Sequence, residues 1–147
     1  MRKYLFKSFL FLKIHSISFA DCDTSQVELW GECYSLSATN ISLPNRSLTG
    51  PIPPEIGLFE NLINLKLKYN NLTGPIPPEI GNLSNLETLE LQFNNLSGPI
   101  PDGLWCLTNL RQLRLQKNQF TGNISPQIGD LTALTHLYLY GLSLIHI

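Results

Sequence analysis

The stretch LINLKLKYNNLTGPIPPEIGNL, residues 62–83, carries the pattern that decides the fold. Leu62, Leu65 and Leu67 follow the spacing Leu-x-x-Leu-x-Leu, in which inward and outward residues alternate as they do in a short strand with one buried face. The Gly-Pro-Ile-Pro run that follows excludes a helix, because each proline fixes φ and removes a backbone donor. One strand with an extended return cannot bury its own leucines, so further layers are required.

The pattern recurs along the chain with a period of 24 residues. The recurring positions are Leu62, Leu86, Leu110 and Leu134; Leu65, Leu89, Leu113 and Leu137; Leu67, Leu91, Leu115 and Leu139; Leu72, Leu96 and Phe120; Gly74, Gly98 and Gly122; Ile76, Ile100 and Ile124; and Leu83, Leu107 and Leu131. An earlier copy runs from Ile41 to Gly57. Such periods are typical of solenoids, in which coils stacked about 4.8 Å apart form one continuous core.

An asparagine follows each strand at the point where the chain turns away, at Asn70, Asn94 and Asn118. Its amide can both donate and accept hydrogen bonds with the backbone of its own and adjacent coils. We therefore predict a structural ladder of stacked asparagines that satisfies buried backbone groups at the turn.

The full pattern is Leu-x-x-Leu-x-Leu-x-x-Asn-x-Leu-x-Gly-x-Ile-Pro-x-x-Ile-Gly-x-Leu, and residues 62–83 match it at every key position. It resembles the plant-specific subclass of leucine-rich repeats, whose members include receptor-like kinase ectodomains and polygalacturonase inhibitors. The resemblance covers about residues 38–141. It implies an α/β-type, right-handed solenoid with a parallel β-sheet on its concave side and irregular or 3-10 segments on its convex side.

Two cysteines, Cys22 and Cys33, flank a short segment in front of the repeats and could close a small loop in an oxidising compartment. Trp30-Gly31-Glu32-Cys33 resembles the Trp-x-Gly-x-x-Cys end of the family's N-terminal cap, although family caps usually contain more cysteines. The resemblance implies that residues 21–37 form a cap over the apolar edge of the first coil and that Cys22 pairs with Cys33.

Four residues depart from the repeat pattern, and we interpret all four as structural variation. Arg46 stands at the asparagine position of the first coil, Trp105 replaces a glycine, and Ser125 replaces a proline. Cys106 precedes the inward Leu107. We predict that Cys106 is a buried or partly buried, unpaired thiol.

Both ends of the sequence depart from the repeat as well. Residues 1–20 begin with Met1-Arg2-Lys3, continue with a mostly apolar stretch and end in Ser18-Phe19-Ala20, which predicts a signal peptide cleaved before Asp21. Residues 142–147 read Leu-Ser-Leu-Ile-His-Ile, and Leu142 stands where the next ladder asparagine is due. The mosaic end of a common transposon-based sequencing adapter encodes this peptide. We therefore expect residues 142–147 to be translated adapter that interrupts the repeats.

Arrangements for catalysis or metal binding are not evident. His15 lies in the leader and His146 in the last six residues, which leaves His136 alone, and the three cysteines lack the close spacing of ligand pairs. We expect no enzyme activity, no cofactor and no metal. From Asp21 onward six basic residues face eleven acidic ones, which argues against nucleic acid as a partner. No run approaches the roughly 20 apolar residues of a membrane span.

The outward residues of the strands predict a binding surface. The predicted ligand contacts are Lys66, Lys68, Tyr69, Glu90, Gln92, Phe93, Arg114, Gln116, Tyr138 and Tyr140. Five of the six basic residues after Asp21 fall in these strand segments, where only Glu87 and Glu90 oppose them. A locally basic, aromatic face suits an extended peptide or an acidic glycan, although strand-face charges also keep a sheet soluble.

Three functions remain open on the sequence alone. The first is a secreted or surface-exposed recognition module that binds a protein, peptide or glycan through its concave face. The second is the ectodomain of a receptor-like kinase. The third is a structural or adhesive surface protein without a discrete ligand. The sequence names neither the ligand nor the oligomeric state.

Overall fold

A computed structural model describes residues 22–142, and each of its first four coils consists of a short strand, a turn, a second short strand and a 3-10 helix, whereas the described part of the fifth coil has only the first strand. The proposed signal peptide, residues 1–20, lies outside the described residues, as do residues 143–147 of the proposed adapter segment. Leu142 is described, and it packs partly buried against the core.

The concave side is a parallel sheet with one strand from each coil. Its strands, in spatial as well as chain order, are β3 (Asn40–Ser42), β5 (Asn64–Lys66), β7 (Thr88–Glu90), β9 (Gln112–Arg114) and β11 (His136–Tyr138). Leu65 pairs with Leu89, and Leu89 pairs with Leu113, so residues that face each other on adjacent strands are one period of the repeat apart in sequence. The predicted solenoid with its parallel sheet is confirmed.

A second row of short parallel strands follows the turn, and 3-10 helices close each coil. The strands are β4 (Thr49–Gly50), β6 (Asn71–Gly74), β8 (Asn95–Pro99) and β10 (Gln119–Thr121). The 3-10 helices span Pro54–Leu58, Pro78–Asn82, Asp102–Cys106 and Pro126–Asp130. Proline suits the start of such a helix because the N–H it lacks would have no partner there. No helix among residues 22–142 is long and apolar enough to cross a bilayer.

The core runs between the two rows of strands along the axis of the solenoid. Leu65, Leu89 and Leu113, at the same position of three successive coils, are 0% exposed. Burying each of these side chains contributes roughly 1.5–3 kcal/mol. The fifth coil lacks a neighbour on one side, and its equivalent residue, Leu137, is 40% exposed.

Successive coils lie close together on the convex side at glycine. A Cβ built on Gly81 would lie 2.9 Å from the Cα of Gly103 in the next coil, which is too close for any other residue without a shift of the backbone. One coil later Trp105 takes the place of this glycine, and its indole is buried. Trp105 is therefore part of the packing between coils.

The cap in front of the first coil is an antiparallel hairpin of β1 (Gln26–Leu29) and β2 (Glu32–Ser35). Trp30 and Gly31 both have positive φ, as a two-residue hairpin turn requires. A disulfide joins Cys22 to Cys33. Leu29 is buried in the main core, so the hairpin covers the apolar edge of the first coil.

An ion pair joins the cap to the first coil. Arg46 Nη2 lies 3.1 Å from Glu32 Oε1, and Glu32 Oε2 accepts a 2.8 Å hydrogen bond from the Tyr34 hydroxyl. Burial, followed by the hydrogen bond and the negative charge of Glu32, raises the pKa of Tyr34 to about 12. Arg46 thus links the cap to the position where later coils carry an asparagine.

Three stacked asparagines hold the turns of neighbouring coils together. Asn94 Nδ2 donates to the carbonyl oxygens of Leu67 and Leu91, each at 3.0 Å, and its Oδ1 accepts from the N–H of Leu72 at 3.0 Å. Asn70 and Asn118 make the equivalent bonds in their own coils. Each amide therefore satisfies backbone groups of two coils, as a buried turn requires.

The prediction that Cys106 is buried is wrong. Its thiol is free and exposed, at the end of the third 3-10 helix. The inward positions on either side belong to Trp105 and Leu107, which are both buried. Because Cys106 lies between two inward residues, its side chain points away from the core.

Candidate functional site

The outward residues of adjacent concave strands form a column across the sheet. Lys66, Glu90, Arg114 and Tyr138 occupy equivalent positions on four neighbouring strands, each opposite the next in the register of the sheet. The period of the repeat therefore brings together side chains that lie 24 residues apart in sequence. The predicted contact residues share one face because the strands stack in register.

Glu90 is the acidic centre of this face and is not free to meet a ligand. It is only 5% exposed, and its Oε2 lies 2.9 Å from Lys68 Nζ. Its Oε1 accepts a 3.3 Å hydrogen bond from Gln112 Nε2. The ion pair neutralises Lys68, and the carboxylate of Glu90 is almost completely shielded from water.

Two glutamines beside Glu90 are also buried, although the alternation of the strands predicts outward residues there. Gln92 is 3% exposed and Gln116 is 5% exposed. The Oε1 atoms of both have no hydrogen-bond partner among the described residues. Alternation gives only the direction in which a side chain leaves the strand, and it does not show how far the neighbouring strands cover that side chain. Seven of the ten predicted contact residues therefore remain accessible on this face.

Aromatic rings form the edge of the face. The rings of Tyr69 and Phe93 stack with their centroids 4.6 Å apart and an angle of 15° between their planes. Arg114 Cζ lies 4.9 Å from the centroid of the Tyr138 ring, and Lys117 Nζ lies 5.9 Å from that of Tyr140. These cations lie over ring faces at distances typical of cation–π contacts.

The backbone at this edge is left-handed in every coil. φ lies between +55° and +68° at Asn45, Tyr69, Phe93, Lys117 and Gly141, which are spaced by one period. Asparagine and glycine tolerate this conformation, whereas larger side chains adopt it rarely. The turn imposes the conformation, so its cost depends on which residue each coil places there.

The charges divide between the two sides of the solenoid. On the strand side, Lys68 pairs with Glu90 and Arg111 with Glu87, the latter at 3.5 Å. Lys66, Arg114 and Lys117 form no ion pair among residues 22–142. Exposed acidic residues occupy the convex side and its loops, at Glu55, Glu60, Asp102 and Asp130, and Glu79 there is partly exposed. The concave face therefore attracts a negatively charged group.

A shallow groove of about 600 Å³ lies beside the strands, at their N-terminal ends. It is lined by Ser37, Thr39, Asn61, Ile63, Asn85, Glu87 and Asn109. Asn85 Nδ2 donates to the carbonyl oxygen of Glu60, and Asn109 Nδ2 donates to that of Ser84, each at 2.9 Å. Sequence reasoning missed this second asparagine ladder, although Asn61, Asn85 and Asn109 recur with the same period of 24.

Within residues 22–142, no group of three or more His, Cys, Asp or Glu side chains could hold a metal ion. His136, on the last strand, has its Nδ1 2.9 Å from the hydroxyl of its neighbour Thr135. The groups on the concave face are suited to non-covalent binding: cations without an ion-pair partner among the described residues, aromatic rings and a neutralised carboxylate.

Residues 60–120 match the family model described as leucine rich repeat. The chain is built of leucine-rich repeats. The asparagine ladder and the parallel concave sheet recur with the period of this repeat. A search of the curated proteins finds no match.

Solved structures of plant leucine-rich-repeat ectodomains are similar to the chain. The structure of PEPR1–AtPEP1 has a TM-score of 0.71 at 39% identity, over 72% of this chain and 15% of that one. The ectodomain of the receptor kinase SOBIR1 from Arabidopsis thaliana also has a TM-score of 0.71, at 34% identity, over 78% of this chain and 61% of that one.

A third structure is the ectodomain of the receptor kinase GASSHO1/SCHENGEN3 from Arabidopsis thaliana, in complex with CASPARIAN STRIP INTEGRITY FACTOR 2. Its TM-score is 0.64 at 40% identity, over 65% of this chain and 12% of that one. The chain thus spans between 12% and 61% of the length of these three proteins.

Proposed function

We propose that the protein is an extracellular recognition module that binds a protein or peptide through the concave face of its repeats, and that it is not an enzyme. The observation that carries this proposal is the concave face itself, where Lys66, Arg114 and Lys117 have no ion-pair partner within residues 22–142 and lie beside exposed aromatic rings. Arginine and aromatic side chains are the groups that interfaces use most as anchors, and free lysines add attraction for a negatively charged partner.

The extracellular location rests on three observations. The disulfide between Cys22 and Cys33 is typical of an oxidising compartment. The similar solved structures of SOBIR1 and of GASSHO1/SCHENGEN3 are ectodomains. The apolar leader of residues 1–20 supports export through a signal peptide.

The second candidate is the ectodomain of a receptor-like kinase, and the comparisons favour it over an adhesive role. Two similar structures are receptor-kinase ectodomains, and one of these is in complex with CASPARIAN STRIP INTEGRITY FACTOR 2. This candidate uses the same concave face and differs only in what the chain is attached to. Sequencing the gene beyond the codon for Gly141 tests it, because a receptor requires a membrane span and a kinase domain downstream.

Surface plasmon resonance with the immobilised full chain tests the binding face, using a panel of synthetic extracellular peptides and purified ectodomains. For any analyte that binds, Lys66→Glu combined with Arg114→Glu is expected to weaken the affinity at least about tenfold, because hot-spot truncations commonly cost more than about 1.4 kcal/mol. Ser84→Glu combined with Thr108→Glu, which adds negative charge at two exposed positions away from the concave face, serves as the control. Equal affinities for all three proteins would place the binding surface elsewhere.

A further inference from the structure

The left-handed position at the edge of the concave face holds different residues in different coils. Coil one has Asn45 and coil five has Gly141, and both residue types accept a positive φ readily. Coils two and three have Tyr69 and Phe93 at φ of +57° and +58°. Bulky aromatic side chains disfavour this conformation, so folding alone would favour asparagine or glycine at these two positions.

Burial does not explain the choice of aromatic residues either. Tyr69 is 47% exposed and Phe93 is 38% exposed, and neither belongs to the hydrophobic core. The contact between their rings offsets part of the backbone strain, yet it leaves a large apolar area in water. Strained, exposed aromatic residues of this kind are typical of binding sites.

We propose that Tyr69 and Phe93 form the anchor of the concave binding site and that the partner is an extended acidic peptide with an apolar side chain packed against the two ring edges. This inference rests on the proposed function and specifies its ligand. The pair of stacked rings is called the aromatic anchor below. Tyr69 directly follows Lys68 in the second coil, and Phe93 lies one coil before Lys117.

The orientation of the rings favours a peptide over a sugar. Sugars pack against the open face of an aromatic ring, but each ring of the aromatic anchor covers one face of the other. Lys117 follows Phe93 in the same left-handed column, in the next coil. Each ring therefore has only one face left for a sugar, and its edges, which carry partial positive charge, suit carbonyl oxygens of a peptide.

The charges around the aromatic anchor call for acidic residues in the peptide. Lys66, Arg114 and Lys117 lie on the same face without an ion-pair partner among the described residues. The carboxylate nearest to the anchor along the strand, that of Glu90, already pairs with Lys68. Acidic side chains on both sides of the apolar residue can therefore reach unpaired cations in the second and fourth coils.

An array of random synthetic peptides tests the inference with the full chain. The peptides have about eight residues, which at about 3.3 Å per residue is enough to cross the sheet, and their net charge and apolar content vary independently. Binding is expected only when a peptide combines negative charge with at least one aliphatic residue. Tyr69→Asn combined with Phe93→Asn is expected to weaken this binding at least about tenfold, and the melting temperature is expected to change little, because asparagine accepts the left-handed backbone.

Two further variants make the result specific. Leu58→Asn removes an apolar side chain that is 54% exposed on the convex side, and it is expected to leave peptide binding unchanged. Phe93→Tyr keeps both rings and is expected to retain binding. A large fall in the melting temperature of the double asparagine variant would give the aromatic anchor a structural role and overturn the inference.

The remaining outcomes separate the inference from the proposed function. If Lys66→Glu combined with Arg114→Glu abolishes peptide binding and the double asparagine variant binds normally, the concave site stands and the aromatic anchor falls. If neither double variant affects binding, both proposals fail. Binding of oligogalacturonides in place of peptides would identify an acidic glycan as the ligand class and overturn the peptide assignment.

Discussion

The two ends of the solenoid contrast at equivalent positions. At the N-terminal end the β1–β2 hairpin covers the first coil, and Ile41 on β3 is fully buried. At the other end, the equivalent Leu137 on β11 is 40% exposed, and Tyr138 beside it is exposed as well. Ile41 and Leu137 occupy the same position of the repeat. The stabilising value of a repeat residue is therefore set by the coil or cap beside it.

The largest expected effect comes from one substitution made at two coils. Leu113→Ala removes a side chain that is fully buried between two coils, and it should lower the free energy of unfolding by about 2–5 kcal/mol. Leu137→Ala makes the same change at the exposed end and should cost less than about half as much, because part of that side chain already meets water. Urea unfolding followed by circular dichroism measures both. Equal losses would contradict the contrast between the middle and the end of the solenoid.

A smaller effect is expected from opening the cap. Cys22 and Cys33 are 11 residues apart, and replacing both by serine should lower the free energy of unfolding by about 2–3 kcal/mol through the lost constraint on the unfolded chain. Cys106→Ser alters an exposed free thiol and serves as the matched control, with no expected change. Thermal melts with and without reductant give the comparison. A wild-type protein whose stability is insensitive to reductant would show that the hairpin covers the first coil without help from the disulfide.

The smallest effect is expected at the ion pair between the cap and the first coil. Arg46 and Glu32 are both more than half exposed in their side chains, and exposed pairs contribute only about 0–1 kcal/mol. Arg46→Ala should therefore lower the free energy of unfolding by less than about 1 kcal/mol, and the difference should shrink further in high salt. A salt-independent loss above that range would mean that the stem of Arg46 packs on the cap and matters more than its charge.

Much of this architecture is encoded in residue spacing, because each coil repeats the same local problem. The leucine columns and the asparagine ladder follow from period and residue type, and Asn94 forms the kind of bonds that its chemistry predicts. The burial of Gln92 is not encoded in the same way. It depends on the groups that neighbouring coils bring around this side chain, and those groups lie far away in the sequence.

The candidate site was predicted less completely than the fold. Alternation along the strands identifies which residues point outward, yet it cannot show that Glu90 is already neutralised by Lys68 two positions away in the preceding coil. The left-handed backbone at Tyr69 and Phe93 carries no signal in those residues themselves. Asn45 and Gly141, at the same position of the first and last coils, were the residues from which it could have been inferred.

The close approach of Gly81 to Gly103 has a consequence for the curvature of the whole molecule. A solenoid bends when its coils are farther apart on one side than on the other, and glycine allows the second and third coils to lie close together on the convex side. Trp105 prevents an equally close approach to the following coil. The bend should therefore concentrate between the third and fourth 3-10 helices, and the size of one residue per coil sets how far the solenoid can wrap around a partner.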